Sequence, residues 1–318
     1  MALYGGLGNQ MFQYAFYKYL KLNGFNVFLD KISMESLNQH QKHETFRLDY
    51  FQLNDTRYAT VNDILEFIPK TDPVFSHPFS EIIKTESFLS ILKTFFYRIN
   101  KKLTHKHMRS KIWSEWSKKG SESKKHFYKN RLTKNTRKYM KGRYQEYCYP
   151  DSIREHLISD FTFEETIPES VSRYYSEIIE NNSVSIHVRR GDYSGTKEYD
   201  ICSMNYYIKS INYILESQKN SVFYIFSDDL QWVTSNFIFP KKYVIVDNSQ
   251  FEKSDYFDLY LMKNCKHNII QNSTFSWWGA WLNQNTGKIV ICPEKWNGLD
   301  HVFTDEICPP DWKRMKIC

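Results

Sequence analysis

From Ser183 onward, short runs of β-branched and aromatic residues alternate with stretches whose apolar positions recur every three or four residues. The runs Val184–Val188, Val222–Phe226, Val244–Val246, Asn268–Ile270 and Ile289–Cys292 predict strands, and Ser203–Ser217 and Asp255–Asn264 predict helices between them. Strands separated by crossover helices demand a parallel sheet, because a hairpin cannot join parallel neighbours. The second half is expected to be a Rossmann-like domain.

The first half opens in the same way. Leu3–Tyr4 reads as the stub of a strand, a glycine turn follows, a helix runs from Asn9 to Leu22, and Val27–Leu29 is the next strand after the Asn23-Gly24 stop. Beyond it the pattern becomes loop-rich, then helical and basic from Phe79 to Tyr139. Asn181-Asn182 interrupts a helix just before a strand, so residues 1–181 are expected to form one domain and residues 182–318 the other. A length of 318 residues suits two domains, since single cores stop growing at about 250–300 residues.

Composition adds three constraints. A hydrophobic share of 41% with 17% aromatic residues argues for a packed globular chain and against disorder. The six cysteines are scattered without a C-x-x-C pair, which argues against a zinc site or a disulfide framework. No apolar run reaches membrane-spanning length and no signal core opens the chain, so a cytoplasmic location is expected. The net charge of +7 is local in origin: Arg98–Arg143 holds 17 Lys or Arg against two Glu, a surplus of +15 that leaves −8 for the rest. Such a segment suits an anionic lipid surface or nucleic acid, or it is simply a solvated helical face.

Three stretches carry candidate chemistry. In SIHVRRGDY (Ser185–Tyr193), two arginines stand where a strand ends, which in a parallel α/β domain is the ligand-binding end. Period-two geometry turns His187 and Arg189 one way and Val188 and Arg190 the other. Arg189 is the phosphate candidate, because a guanidinium is a fixed fork of donors, and Arg190 is free to brace the loop by pairing with Asp192. The second stretch, LYGGLGNQMFQYA, sets Gly5, Gly6 and Gly8 ahead of Asn9 and Gln10 at a helix start, either a site for close ligand approach or a tight structural turn. In the third, Ser273, Thr274 and Ser276 gather at the start of a helix bearing Trp277, Trp278 and Trp281, so the hydroxyls are candidate phosphate ligands and the indoles are core. FSDDL (Phe226–Leu230) could pass for a metal site but is better read as a helix cap through Ser227 or Asp228. No D-x-D triplet occurs, so a diphosphate would be neutralised here by arginine, hydroxyls and helix ends.

With GGLGNQMFQYA, HVRRGDY, CSMNYY, FSDD and LMKNCKHNIIQNSTFSWWGAWLN in this order, the chain resembles glycosyltransferase family eleven, the α-1,2-fucosyltransferases. The motifs span nearly the whole chain apart from Gln39–Tyr139. The resemblance implies a GT-B-type α/β fold with two Rossmann-like domains, the C-terminal one binding GDP-fucose. It implies transfer with inversion to O2 of a terminal β-galactoside, no metal and no cofactor beyond the donor substrate. Arg189 resembles the group that holds the β-phosphate, and Arg190 stands beside it in the motif. Gly6, Gly8, Asn9 and Gln10 would lie near the diphosphate or fucose. Ser273, Thr274 and Ser276 resemble hydroxyls facing phosphate, His187 would approach base or ribose, and Asp258 resembles a carboxylate that accepts from guanine. For the base that takes the acceptor's proton, Asp192 is preferred over Glu198, His187 and Glu146. The expected partners are GDP-fucose and a galactose-containing glycan, lipid-linked or free, with peripheral contact at the inner membrane left open and no nucleic acid expected. The alternatives are a transferase for another GDP-sugar or acceptor, and a non-enzymatic binder of nucleic acid or membrane acting through residues 98–143.

Overall fold

The structure, a computed structural model, describes residues 1–37, 45–53, 55–65, 67, 112–114, 137–163, 166–298 and 304–317. Helix α1 spans Leu7–Leu22 and starts two residues before the expected Asn9, because Gly6, in extended conformation, occupies its N-cap. Phe12, Tyr14 and Phe16 are fully buried, as a core reading requires, and Phe16 stacks on Tyr144 at 4.3 Å. The strands expected at Leu3–Tyr4 and Val27–Leu29 shrink to single parallel bridges, Ala2 with Asp30 and Leu29 with Tyr58. Short helices α2 (Ile32–Leu37) and α3 (Val61–Leu65) follow. Strand β1 (Ile112–Ser114) pairs in parallel with β2 (Tyr139–Lys141), and the Ala2 amide donates to the Met140 carbonyl at 2.9 Å. Backbone contacts therefore link the segments in the order β1, β2, Ala2, Leu29–Asp30, Tyr58. Buried Asp30 ties two of them together, accepting from Ser33 and from the Tyr139 hydroxyl. Residues 112–114 and Tyr139 were expected in helix and are strand instead. Each segment supplies the other's backbone partners. Most of the expected helical stretch, and of the basic segment 98–143, lies outside the described residues.

The second unit begins with helices α4 (Cys148–Ser152), α5 (Arg154–Asp160) and α6 (Glu169–Glu180). There follow β3 (Ser183–Val188), α7 (Met204–Ser217), β4 (Val222–Ser227), α8 (Leu230–Asn236), β5 (Tyr243–Ile245), α9 (Ser254–Asn264), β6 (His267–Ile269), α10 (Thr274–Leu282), β7 (Val290–Pro293), α11 (Thr304–Ile307) and β8 (Lys313–Met315). The six strands form one parallel sheet in the order β5-β4-β3-β6-β7-β8. Renumbered from β3, that is 3-2-1-4-5-6, the doubly wound order whose direction reverses between its first and fourth strands. The expected α/β class is borne out. The last strand was not anticipated, since its Lys-Arg-Met sequence lacks the apolar run of a buried strand and an edge position does not require one.

Alternation along β3 decides what each face touches. Val184, Ile186 and Val188 enter the main core with Tyr206, Tyr207, Ile211 and Ile214 of α7 and Val233 and Phe237 beyond. Ser183, Ser185 and His187 face the other side, where the Asn268 amide donates to Ser185 Oγ at 2.7 Å and to the Met262 carbonyl at 2.8 Å. Asn283 completes that buried network by donating to Asn268 Oδ1 at 2.8 Å and to the Cys265 carbonyl at 2.7 Å. Every polar atom in this dry layer needs such a partner, because an unmet one costs about 1–3 kcal/mol.

Compactness divides the chain elsewhere than expected. Met1–Asp49 with Leu53–Tyr144 form one unit and Tyr50–Gln52 with Gln145–Cys318 the other, so residues 145–181 belong with the C-terminal unit rather than the N-terminal one. Packing explains the shift. The Trp281 indole donates to Asp151 at 2.6 Å, the Arg154 guanidinium stacks over that indole at 4.2 Å, and Phe161 meets Trp278 edge-on at 5.2 Å. Phe51 is drawn in by Phe161, Phe163 and Tyr256. An Asn-Asn break marks a change of element, while burial decides which core the preceding helices join.

Candidate active site

The reversal of strand order places the ends of β3 and β6 side by side, and the loops leaving them hold most of the candidates. Beyond β3, the Arg189 backbone amide donates to Gln271 Oε1 at 2.6 Å, an acceptor also reached by the Tyr207 hydroxyl at 3.1 Å. This ties the first residue after β3 to the second after β6. The Arg189 side chain lies between two carboxylates: Nη1 pairs with Asp228 Oδ2 at 2.9 Å, while Nε and Nη2 both donate to Asp192 Oδ1, at 3.0 and 2.7 Å. Burial works to lower the arginine's pKa, but the charges of Asp228 and Asp192 outweigh it and raise the value, so the guanidinium stays charged. Asp192 is the open partner, 63% exposed, and Asp228 the sheltered one, at 25%.

Two expectations change here. Asp192 braces Arg189, not Arg190, because both side chains emerge on the same side of the loop. Arg190 turns the opposite way, stacking over Trp232 at 4.0 Å and donating to Ser194 Oγ at 2.9 Å. Its guanidinium packs against α8, and its backbone amide, donating to Asp228 Oδ1 at 2.8 Å, is what it contributes at the strand end. The helix cap in FSDDL is neither Ser227 nor Asp228 but Asp229, whose carboxylate accepts from the Trp232 amide at 2.9 Å. Asp228 is thereby left to the arginines.

His187 sits at the end of β3, 5% exposed, its ring 5.5 Å from that of Phe275 in the first turn of α10. Burial, aided by the Arg189 charge, pushes its pKa down to about 3, so the imidazole is neutral across the working range. Its Nδ1 is buried without a hydrogen-bond partner. At the other lip, Ser273 occupies the N-cap of α10. Amides in the first turn of any helix lack intrahelical acceptors, so this end favours an anion. Ser276 is buried and its hydroxyl donates back to the Ser273 carbonyl at 3.2 Å, an internal role that explains a hydroxyl assigned to phosphate. Trp277, Trp278 and Trp281 are fully buried as expected, and the Trp277 indole donates to the Ile307 carbonyl at 2.8 Å, which fixes the helix that presents Ser273 and Thr274.

Asp258 lies half-buried on α9 and accepts from the Asn248 amide at 2.8 Å. Burial lifts its pKa, the Asn248 bond opposes this, and Asp255 and Asp247 reinforce it, giving about 7. Among the other base candidates, Glu198 accepts from Asn297 at 3.2 Å and its carbonyl accepts from the Gly298 amide at 2.9 Å, while Glu146 is buried. The sequence reading missed Gln271, Asn272 and Asn248. Asn272 reaches the Tyr199 carbonyl at 3.0 Å and offers its own carbonyl to the Tyr193 hydroxyl at 3.3 Å, pinning the loop that carries Asp192. An amide side chain after a strand looks like any loop residue, so only its contacts reveal the task.

In the first unit, the glycine turn is tight by construction. Gly5 has φ +78°, and a Cβ there would stand 2.6 Å from Asn9 Nδ2. Gln10 is not at hand for a ligand: its amide donates to the Gly5 and Thr45 carbonyls, both at 2.8 Å, and accepts from the Arg47 amide at 3.0 Å. It staples the turn to the neighbouring loop. Gly6 has open space where a side chain would be, and Gly8 and half-buried Asn9 lie in the first turns of α1. Among the described residues no group of three His, Cys, Asp or Glu side chains is arranged to hold a metal ion, and no helix is long and apolar enough to cross a membrane.

A doubly wound parallel domain that gathers a charged arginine, a neutral histidine and a helix N-terminus at its strand-order reversal is of the class that receives anionic, nucleotide-like ligands. The family described as glycosyl transferase family 11 matches residues 1–316, and the chain belongs to it; it is a glycosyltransferase. It is 32% identical to the O-antigen biosynthesis glycosyltransferase WbnK of Escherichia coli over 92% of this chain and 93% of that one. It is 31% identical to an alpha-1,2-colitosyltransferase of the same organism, covering 99% and 97%. Galactoside alpha-(1,2)-fucosyltransferase 1 of Ateles belzebuth shares 26% over 52% of this chain and 44% of its own. Among solved structures, the NodZ alpha-1,6-fucosyltransferase soaked with GDP-fucose matches over 88% and 90% at 13% identity with a TM-score of 0.45, a level at which no detail transfers.

Proposed function

We propose that the protein transfers fucose from GDP-fucose, with inversion and without a metal, to O2 of a terminal β-galactoside during assembly of a surface polysaccharide such as O-antigen, or of an oligosaccharide. The observation that carries the reading is the Arg189 guanidinium, charged and oriented at the strand-order reversal of a family 11 chain. In an inverting displacement, the acceptor oxygen forms its bond to the anomeric carbon as the bond to the diphosphate oxygen breaks, and negative charge collects on the departing GDP. Donors fixed in advance near that charge lower the barrier, since they are not reorganised during the step. Arg189 has this role, assisted by the amides and by the Ser273 and Thr274 hydroxyls at the start of α10. Asp258 accepts from guanine, and neutral His187 approaches the base or ribose.

The acceptor hydroxyl gives its proton to Asp192, the exposed carboxylate of the β3 loop. His187 is the weakest of the alternatives, because an imidazole with a pKa of about 3 holds a proton poorly at neutral pH. Donor identity has a second reading. The relative named as an alpha-1,2-colitosyltransferase aligns over 99% of this chain, and colitose lacks only the C3 hydroxyl of fucose, so a GDP-linked deoxy sugar is the competing donor. The deciding experiment offers the protein GDP-fucose or GDP-colitose with a panel of galactosides, in buffer containing EDTA, and locates the new linkage by NMR. Fucose at O2 of galactose is the expected product. Faster colitose transfer would move the assignment to the second donor, and loss of activity in EDTA restored by Mg²⁺ would end the metal-free scheme. A lipid-linked acceptor at the inner face of the membrane is one reading of the basic segment 98–143, and its charge is what supports it. Steeply salt-dependent RNA binding with no thermal shift from GDP would instead favour a non-enzymatic binder.

A further inference from the structure

We infer that Asp228 is the positioning residue for the Arg189 fork, a task resting on the reading of Arg189 as the diphosphate-holding group. Its carboxylate serves both arginines at once: Oδ1 accepts from the Arg190 backbone amide at 2.8 Å and Oδ2 pairs with Arg189 Nη1 at 2.9 Å. One oxygen is thus referenced to the backbone leaving β3, and the other fixes the guanidinium relative to that backbone. With Nη1 held from the sheltered side, the remaining Nε–Nη2 edge is turned outward, where it meets Asp192. That edge carries the two parallel N–H bonds suited to phosphate.

The neighbours of Asp228 have other tasks. Ser227 Oγ donates to the Val188 carbonyl at 2.7 Å and accepts from the Asp229 amide at 3.0 Å, pinning the end of β4 to β3, and Asp229 caps α8. Asp228 does no capping, so its charge is committed to the strand end. Gly191 is part of the same device. A Cβ at that position would stand 2.5 Å from Asp228 Oδ2, closer than real contacts allow, so any larger residue would push the carboxylate off its two partners. The glycine of HVRRGDY is accounted for by an aspartate 37 positions away in sequence.

The test is a double-mutant cycle read by calorimetric GDP binding and by kcat and KM for GDP-fucose. Asp228→Ala is expected to lower kcat/KM by about 10- to 100-fold, the usual penalty for letting a catalytic group drift by an ångström. The loss should appear in kcat and in GDP affinity, while the galactoside KM moves less than about twofold. In an Arg189→Ala background, the same change should cost less than about threefold, because a residue acting through Arg189 has nothing left to position. Asp228→Asn, which keeps the acceptor for the Arg190 amide and loses the charge, should fall between wild type and alanine. Gly191→Ala, which removes no charged group, should reproduce the defect and keeps the test alive if Asp228→Ala fails to fold. Equal losses in both backgrounds, or normal kinetics in Asp228→Ala and Gly191→Ala while Arg189→Ala is crippled, would overturn this inference alone. If Arg189→Ala itself binds GDP and turns over normally, the phosphate assignment is wrong and the positioning role goes with it.

Discussion

On the proposed reading, guanine recognition by Asp258 should depend on pH in a calculable way. Burial is the largest cause of its raised pKa of about 7, against a usual carboxylate value of 3.8. A carboxyl that accepts from both N–H groups on the guanine edge must be ionised, so only the ionised fraction of the protein binds GDP well. With a pKa of about 7, that fraction is about one in eleven at pH 6 and about ten in eleven at pH 8, so the apparent Kd for GDP should fall about tenfold across the interval. At pH 6, binding should expel close to one proton. Titration calorimetry in two buffers of different ionisation enthalpy reads both quantities, and Asp258→Asn should remove this share of the pH dependence and of the proton release. The variant also controls for GDP, whose terminal phosphate ionises in the same range. His187, with its pKa near 3, does not titrate there. An affinity unchanged between pH 6 and 8, or an Asp258→Asn variant with the wild-type profile, would refute the assignment. Stability must move the opposite way. A folded pKa above the unfolded one favours the protonated native state, so this group's contribution is complete below about pH 4 and is lost as pH rises through 7. Three units at about 1.4 kcal/mol each set an upper limit of about 4 kcal/mol, and Asp258→Asn should therefore raise Tm at pH 8.

Arg189→Ala should cut kcat/KM by about 100- to 1000-fold, as does removal of other fixed donors to developing charge, with little change in the melting curve; wild-type turnover would remove it from the mechanism. Asp192→Asn should separate binding from turnover. Its carboxylate occupies the Nε–Nη2 edge of Arg189, so GDP should bind more tightly once that competition is gone, while turnover falls for want of a base. Weaker GDP binding would contradict the competition, and normal turnover would dismiss Asp192 as the base. Gly5→Ala should destabilise the protein by about 1–2 kcal/mol, since it puts a side chain in a left-handed conformation and crowds Asn9, and an unchanged Tm would refute the strain.

Local rules made much of this protein legible in its sequence. Strand-and-helix alternation from Ser183 onward announced the parallel sheet, and period-two geometry separated Arg189 from Arg190 just beyond β3. The three indoles of α10 could hardly be placed anywhere but in a core. These features depend on neighbours a few residues apart, whose relation is set by backbone geometry alone. The tertiary structure decided which carboxylate meets which arginine. Asp192 was expected to pair with Arg190, Asp228 looked like a cap, and Gln10 looked like a ligand until Thr45 and Arg47 were found to occupy its amide. Membership of helices α4 and α5 in the C-terminal unit was likewise settled by Trp278 and Trp281, more than a hundred residues downstream. Contacts between distant segments depend on register and packing across the sheet, where a shift of one residue exchanges inside for outside, and no short stretch of chain contains that information.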